Sequence, residues 1–240
     1  MNLPGANLVA TTDMTRTRDY LQYAISARAM MCVHGDAGLG KSFAVMASLR
    51  TLAPDNAHYI SFYERPTPSY LRRKLFEAVG HDTPMPRTPF DADRLLKTAL
   101  SERFRVLVCE TAHWLSLEGF EYWRHLWSDR DTDLAVVFVG ADKCRQMLSA
   151  SPSLASSIYI WQEYRPMTQA QILDVIPAFH PVWADADPDD IDFVYRTAAR
   201  GVFRSWARLT HHVIALLEEQ GHKRADREVL RQALTRFMGA

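Results

Sequence analysis

Apolar residues recur along the chain with two spacings. Short continuous apolar runs stand at residues 29–33 (AMMCV), 105–109 (RVLVC) and 134–139 (LAVVFV), with weaker ones at 58–62 and 158–161. Such runs read as strands buried on both faces. Between them the apolar positions fall three and four apart, the helical period. That spacing predicts helices over 15–27, 41–50, 69–79, 91–100, 117–128 and 142–148. The inner face of 117–128 is aromatic, with Phe120, Trp123 and Trp127. Asp91 suits an N-cap. Residues 81–90 hold three prolines and read as a loop. From Pro166 onward only helices are predicted, over about 168–178, 189–199, 203–219 and 225–237.

Strands alternating with helices, then a helical tail, imply an α/β protein. The expected fold is a doubly wound parallel sheet of five strands flanked by helices, plus a C-terminal all-helical subdomain. Boundaries are set at 1–28 for an N-terminal segment and helix, 29–165 for the sheet core and 166–240 for the helical lid. The segment 184–192 carries five aspartates and reads as a solvated linker with a helix start.

Lys+Arg and Asp+Glu are both 28, so a DNA coat that works by bulk charge is excluded. Any nucleic-acid contact must come from a local patch. Cys32, Cys109 and Cys144 have no CxxC spacing. They read as buried free thiols in a reducing cytosol, so a cytoplasmic location is expected. His211 and His212 are adjacent and point to different faces of a helix, a poor metal pair. No leader is read at residues 1–12, and the longest apolar run is too short to span a bilayer.

The strongest chemical signal is Gly35-Asp36-Ala37-Gly38-Leu39-Gly40-Lys41-Ser42, followed by Phe43. It fits GxxxxGK[ST], follows a predicted strand and opens a predicted helix. Glycines let the backbone N–H groups turn inward around phosphates, and the helix start adds a positive dipole end. Lys41 then reaches the outer phosphates, and the Ser42 hydroxyl ligates Mg²⁺. Nucleotide binding follows. ATP is favoured over GTP because no NKxD-type guanine signature is present.

A P-loop protein needs an acid at a neighbouring strand end for Mg²⁺ and a group to orient the attacking water. After the strand 105–109 the chain reads Glu110-Thr111-Ala112-His113-Trp114-Leu115. Here it resembles the AAA+ ATPases of the transposition-helper group, the TniB, TnsC and MuB type. That group has an apolar strand followed by Asp-Glu-Ala-His/Gln-x-Leu. The resemblance spans about residues 12–215 and rests on the ordered set of P-loop, ETAHWL, FVGAD, YRPMT and RGVFR.

It implies that Glu110 stands for the magnesium Asp and Thr111 for the catalytic Glu. A register with Cys109 and Glu110 in those roles is the alternative. A Thr hydroxyl is a poor base near neutral pH. Asp142 falls at the polar sensor position and equally suits an N-cap. Arg204 matches the lid arginine that reaches the nucleotide; otherwise it is a surface residue on a basic helix. Where the group places an arginine finger this chain has Ser157, with Arg145 and Arg165 nearby.

Members of the group bind ATP, form rings or filaments on duplex DNA and recruit or activate a transposase. The resemblance therefore implies double-stranded DNA, further copies of the chain and a transposase or other recombination protein as partners. Arg65, Thr67, Ser69, Arg72, Arg73 and Lys74 are the implied DNA contacts, with a solvated helix face as the alternative. Residues 200–240 carry eight basic side chains, Lys223 among them, against four acids, which would assist DNA or neighbour binding. Trp114, Trp123 and Trp127 are expected in the core. Without a water-orienting acid or a finger, slow hydrolysis by a nucleotide-loaded regulator is expected. The second reading is a catalytically active AAA+ or STAND-type ATPase that acts on a protein partner without DNA.

Overall fold

The structure is a computed structural model that describes residues 3–80, 84–222 and 224–239. Of the expected loop 81–90, residues 81–83 lie outside the described residues, as does Lys223. The chain divides into two compact units. One comprises residues 13–36 and 41–164; the other comprises 3–12, 37–40 and 165–239 of the described chain.

The first unit is built on five strands: β1 (Met30–Gly35), β2 (Ala57–Ser61), β3 (Arg105–Glu110), β4 (Leu134–Val139) and β5 (Ile158–Tyr164). They pair in parallel in the order β2-β3-β4-β1-β5. β1 and β4 are buried at every position, which is why residues 30–33 and 134–139 read as unbroken apolar runs. The register sets Cys109, Phe138 and Cys32 in one row across β3, β4 and β1. Phe120 and Trp123 pack edge-on against the Phe138 ring at 5.1 and 5.7 Å.

The helices of this unit are α1 (Thr12–Ser26), α2 (Lys41–Leu52), α3 (Pro68–Val79), α4 (Pro89–Ser101), α5 (Leu117–Trp127), α6 (Asp142–Ser149) and α7 (Pro152–Ser157). α3 starts where Thr67 accepts the Tyr70 N–H at 3.2 Å, and it ends at left-handed Gly80. α4 is capped by Thr88, which accepts the Asp91 N–H. The cap thus falls three residues before Asp91, because Pro89 suits the first helical position. The short α7 follows a Ser-Pro step and has no counterpart in the expected elements.

The second unit is helical: α8 (Gln169–Phe179), α9 (Pro188–Val194), α10 (Phe203–Gln220) and α11 (Arg227–Met238). A capping box between Thr168 and Gln171 opens α8. The expected helix 189–199 is instead α9 followed by a π-helical turn, Tyr195–Ala199. Trp206, Leu209, Val213 and Leu216 form the buried stripe of α10, and Trp183 meets Trp206 edge-on at 5.7 Å. The N-terminal segment is tied to this unit by Asn7 N–H to Phe179 O at 2.8 Å and by the His180 ring against Pro4 O at 2.9 Å. Among the described residues no helix is long and apolar enough to cross a membrane.

Candidate functional site

Three strand ends converge at the carboxyl edge of the sheet. β1 delivers Gly35, β3 delivers Glu110, and β4 leads through Gly140 to Asp142. In open α/β sheets this edge is where ligands bind.

The loop after β1 has the backbone that its glycines permit. Gly35, Gly38 and Gly40 have φ of 133, 87 and 95°. A Cβ on Gly35 would lie 2.3 Å from the Tyr164 carbonyl oxygen of β5, so no other residue fits. Lys41, nearly buried at the start of α2, folds back over the loop. Its Nζ donates to Gly35 O at 2.7 Å and to Asp36 O at 2.6 Å. Ser42 and Phe43 follow, both exposed in the first turn of α2.

Residues 37–40 group with the helical unit. There the Arg204 N–H donates to Gly38 O at 3.0 Å, and a Cβ on Gly38 would sit 3.0 Å from the Arg204 Cβ. Arg204 is exposed in the first turn of α10. The approach is unusual: Arg200 has φ of 42°, and a Cβ on Gly201 would strike Met167 O at 2.1 Å.

At the end of β3, Glu110 is half-buried and accepts the Ser61 hydroxyl at 3.2 Å. Thr111 adopts φ of 55° and ψ of 34°, strained for a β-branched residue. Its Oγ1 accepts the Phe62 N–H at 3.0 Å and lies 2.7 Å from Phe62 O and 2.6 Å from Glu110 O. The hydroxyl is spent on main chain. A 3-10 turn, Ala112–Trp114, then carries His113.

Asp142 is the first residue of α6, and the N-cap position belongs to Ala141. The N-cap role considered for Asp142 is therefore set aside. Its carboxylate accepts from His34 Nδ1 at 2.9 Å. His34 is 2% exposed and directly precedes Gly35. That pairing escaped the sequence reading; the only available signal was a His inside an otherwise apolar strand. Behind it, Cys32 Sγ lies 3.9 Å from Cys144 Sγ. Cys32, Cys109 and Cys144 are all buried and free.

The basic segment after β2 is more committed than expected. Arg72 has only 12% of its side chain exposed. It forms a two-point pair with Asp93 at 2.6 and 3.3 Å and lies over the Tyr122 ring. That pairing occupies the guanidinium expected to contact phosphate. Lys74 and Arg73 both pair with Glu77, at 2.9 and 3.8 Å. Thr67 is the cap of α3, while Arg65 and Ser69 are exposed. Trp114 is 41% exposed, against its expected core position, and Trp127 is half-buried with its ring N–H on Arg28 O. Ser157 ends α7, its hydroxyl donating to Ser153 O at 2.8 Å.

A parallel five-stranded sheet with a P-loop between its first strand and the following helix defines the P-loop AAA+ fold. A family model described as AAA domain matches residues 24–148, just over half of the chain, and the chain belongs to that family. No curated protein matches it. Among solved structures it resembles Cdc6p from Pyrobaculum aerophilum at TM-score 0.76 and 15% identity, covering 98% of this chain and 70% of that one. The ORC1 protein of Aeropyrum pernix, solved in complex with DNA, gives 0.72 and 18%, over 95% of this chain and 66% of that one. The RuvB Holliday junction branch migration motor of Thermotoga maritima gives 0.60 and 15%, over 95% and 69%. The chain thus spans about two thirds of their lengths, and at such identities the likeness is one of fold.

Proposed function

We propose that this chain is an ATP-binding AAA+ regulator that assembles, as a ring or filament, on double-stranded DNA and recruits or activates a transposase, with slow hydrolysis. The observation that carries the nucleotide part is Lys41. Its ammonium rests on the Gly35 and Asp36 carbonyls, in a loop whose glycines hold positive φ. Those are bonds that phosphate oxygens can replace.

In this reading the main chain of Gly35, Asp36, Ala37, Gly38, Leu39 and Gly40 holds phosphate, with Lys41 as counter-charge and Phe43 beside them. Ser42 and Glu110 hold Mg²⁺, the Glu110 carboxylate being steadied by Ser61. When bound, the ion neutralises phosphate charge. Arg204, bonded through its main chain to Gly38, is the proposed nucleotide-sensing arginine. Asp142 is held by His34 and serves as the polar sensor. Slow turnover is supported by Thr111, which offers no carboxylate and whose hydroxyl is already engaged.

The DNA part is supported by exposed Arg65 and Ser69, and by likeness to a fold solved on DNA in ORC1. The transposase part is supported by the motif set alone. Three buried free thiols suit a reducing cytoplasm. The pairing of Arg72, Arg73 and Lys74 with Asp93 and Glu77 favours the second reading, an ATPase that acts on a protein partner without DNA.

Gel-shift titration of duplex DNA with and without ATP, across a salt series, tests the proposal. A shift that needs ATP and weakens steeply with salt supports it. Equal shifts with and without nucleotide, or none at all, refute the DNA-assembly reading.

A further inference from the structure

With Thr111 fastened to the sheet edge, the site needs another group beside the terminal phosphate. His113 stands out among the candidates. It sits two residues past Thr111, in the turn that the strained Thr111 backbone creates. Its main-chain N lies 3.1 Å from where a Cβ on Gly140 would be, and the Cβ of Cys144 lies 2.8 Å from the same point. Gly140 therefore lets the His113 turn and α6 close together on the end of β4. His113 Nδ1 is buried and has no hydrogen-bond partner among the described residues. A native fold leaves few such atoms unpaired, and the usual explanation is a water or a ligand that completes the bond.

We propose that His113 is the water-orienting residue of this nucleotide site, its Nδ1 accepting a hydrogen bond from the water that attacks the terminal phosphate. The inference rests on the nucleotide-binding reading above. Burial first, then the ammonium groups of Lys143 and Lys41, holds the imidazole below its ordinary range. The ring is thus neutral near pH 7 and able to accept. Gly140, against which the His113 turn closes, donates its N–H to Val33 O of β1 at 3.0 Å, so the turn stands at the sheet edge from which the P-loop departs.

The step balances. His113 takes up one water proton as the water oxygen bonds to the terminal phosphorus. The bridging P–O bond breaks, its electron pair staying on the nucleoside diphosphate, and the imidazolium then loses its proton to solvent. Because the unpaired atom is Nδ1, an Asn side chain can place its amide oxygen near the same point, while a Gln places its own nearer Nε2.

The test is calorimetry on the full chain with Mg²⁺-ADP, alone and with aluminium fluoride as a mimic of the transferring phosphate, beside single-turnover hydrolysis of ATP. His113→Ala is expected to keep ADP affinity and to lose about tenfold or more of the affinity gained with fluoroaluminate. Hydrolysis is expected to slow by about a hundredfold. His113→Asn should retain most of the gain and His113→Gln should not, which keeps the test open if the Ala variant unfolds. Full fluoroaluminate gain in His113→Ala, equal behaviour of Asn and Gln, or a parallel loss of ADP affinity would each overturn the role. Failure of the unmodified chain to bind Mg²⁺-ADP would instead bring down the nucleotide reading, and this inference with it.

Discussion

Thr111 and Phe62 are bound to each other twice: the Phe62 N–H reaches Thr111 Oγ1 at 3.0 Å, and the same hydroxyl lies 2.7 Å from the Phe62 carbonyl. The residue at the expected catalytic position is thereby a clasp between the ends of β2 and β3. Thr111→Ala would strand the Phe62 N–H, and a loss of about 1–3 kcal/mol in urea unfolding is expected. Single-turnover hydrolysis should change less than about twofold, against the 10²-fold or more lost with a general base.

Lys41→Ala is expected to abolish binding of ATP in calorimetry, and with it any ATP-dependent DNA shift. Circular dichroism should be unchanged, because Nζ bonds loop carbonyls, at Gly35 and Asp36, rather than the frame of the sheet. DNA association that survives this substitution undiminished would separate the two activities.

The loop glycines should differ in tolerance. Gly35→Ala places a methyl 2.3 Å from a main-chain oxygen, so loss of soluble, folded protein is expected. At Gly40 the added methyl meets nothing within 4 Å among the described residues, leaving the backbone strain of φ +95°. That costs about 1–2 kcal/mol, so Gly40→Ala should fold with a lowered melting temperature.

Two arginines of the basic segment should separate function from stability. Arg72→Ala breaks the Asp93 pair and uncovers the Tyr122 ring; lower stability with unchanged DNA affinity is expected in thermal melts and gel shifts. Arg65→Ala leaves stability alone and should flatten the salt dependence of DNA binding by about one unit of slope.

His58 gives a pH signature. Burial first, then Arg105, holds its pKa below 6.5, and its Nε2 is buried without a partner among the described residues. The unfolded chain therefore takes up a proton at higher pH than the folded one. The stability contributed by neutral His58 is complete above the ordinary value of 6.5 and shrinks as pH falls from there through the folded-state pKa. Urea midpoints should fall between about pH 7.5 and about pH 5.5, and less steeply in His58→Asn.

The sheet was legible because its strands are buried on both faces, which leaves plain apolar runs at β1, β3 and β4. The P-loop was legible because glycine spacing and a following helix state a backbone requirement directly. Partners distant in sequence were not. Nothing near Arg72 announces Asp93, and nothing near His34 announces Asp142; both pairs exist only once helices are laid on the sheet. Asp91 misled because Thr88-Pro89 is the better helix start. Trp114 misled because an aromatic residue in an apolar stretch suggests burial, while a 3-10 turn after αL Thr111 leaves it exposed.

The strand that carries the P-loop is made early and completed late. Met30 pairs with Val136 on one side and Ile158 on the other, so roughly a hundred residues must be synthesised before β1 gains its first neighbour. Until then the Met30–Val33 run is a sticky, unpaired template on the nascent chain, open to aggregation or to chaperone capture. Biogenesis of this protein should therefore depend on the pace of translation through β4 and β5.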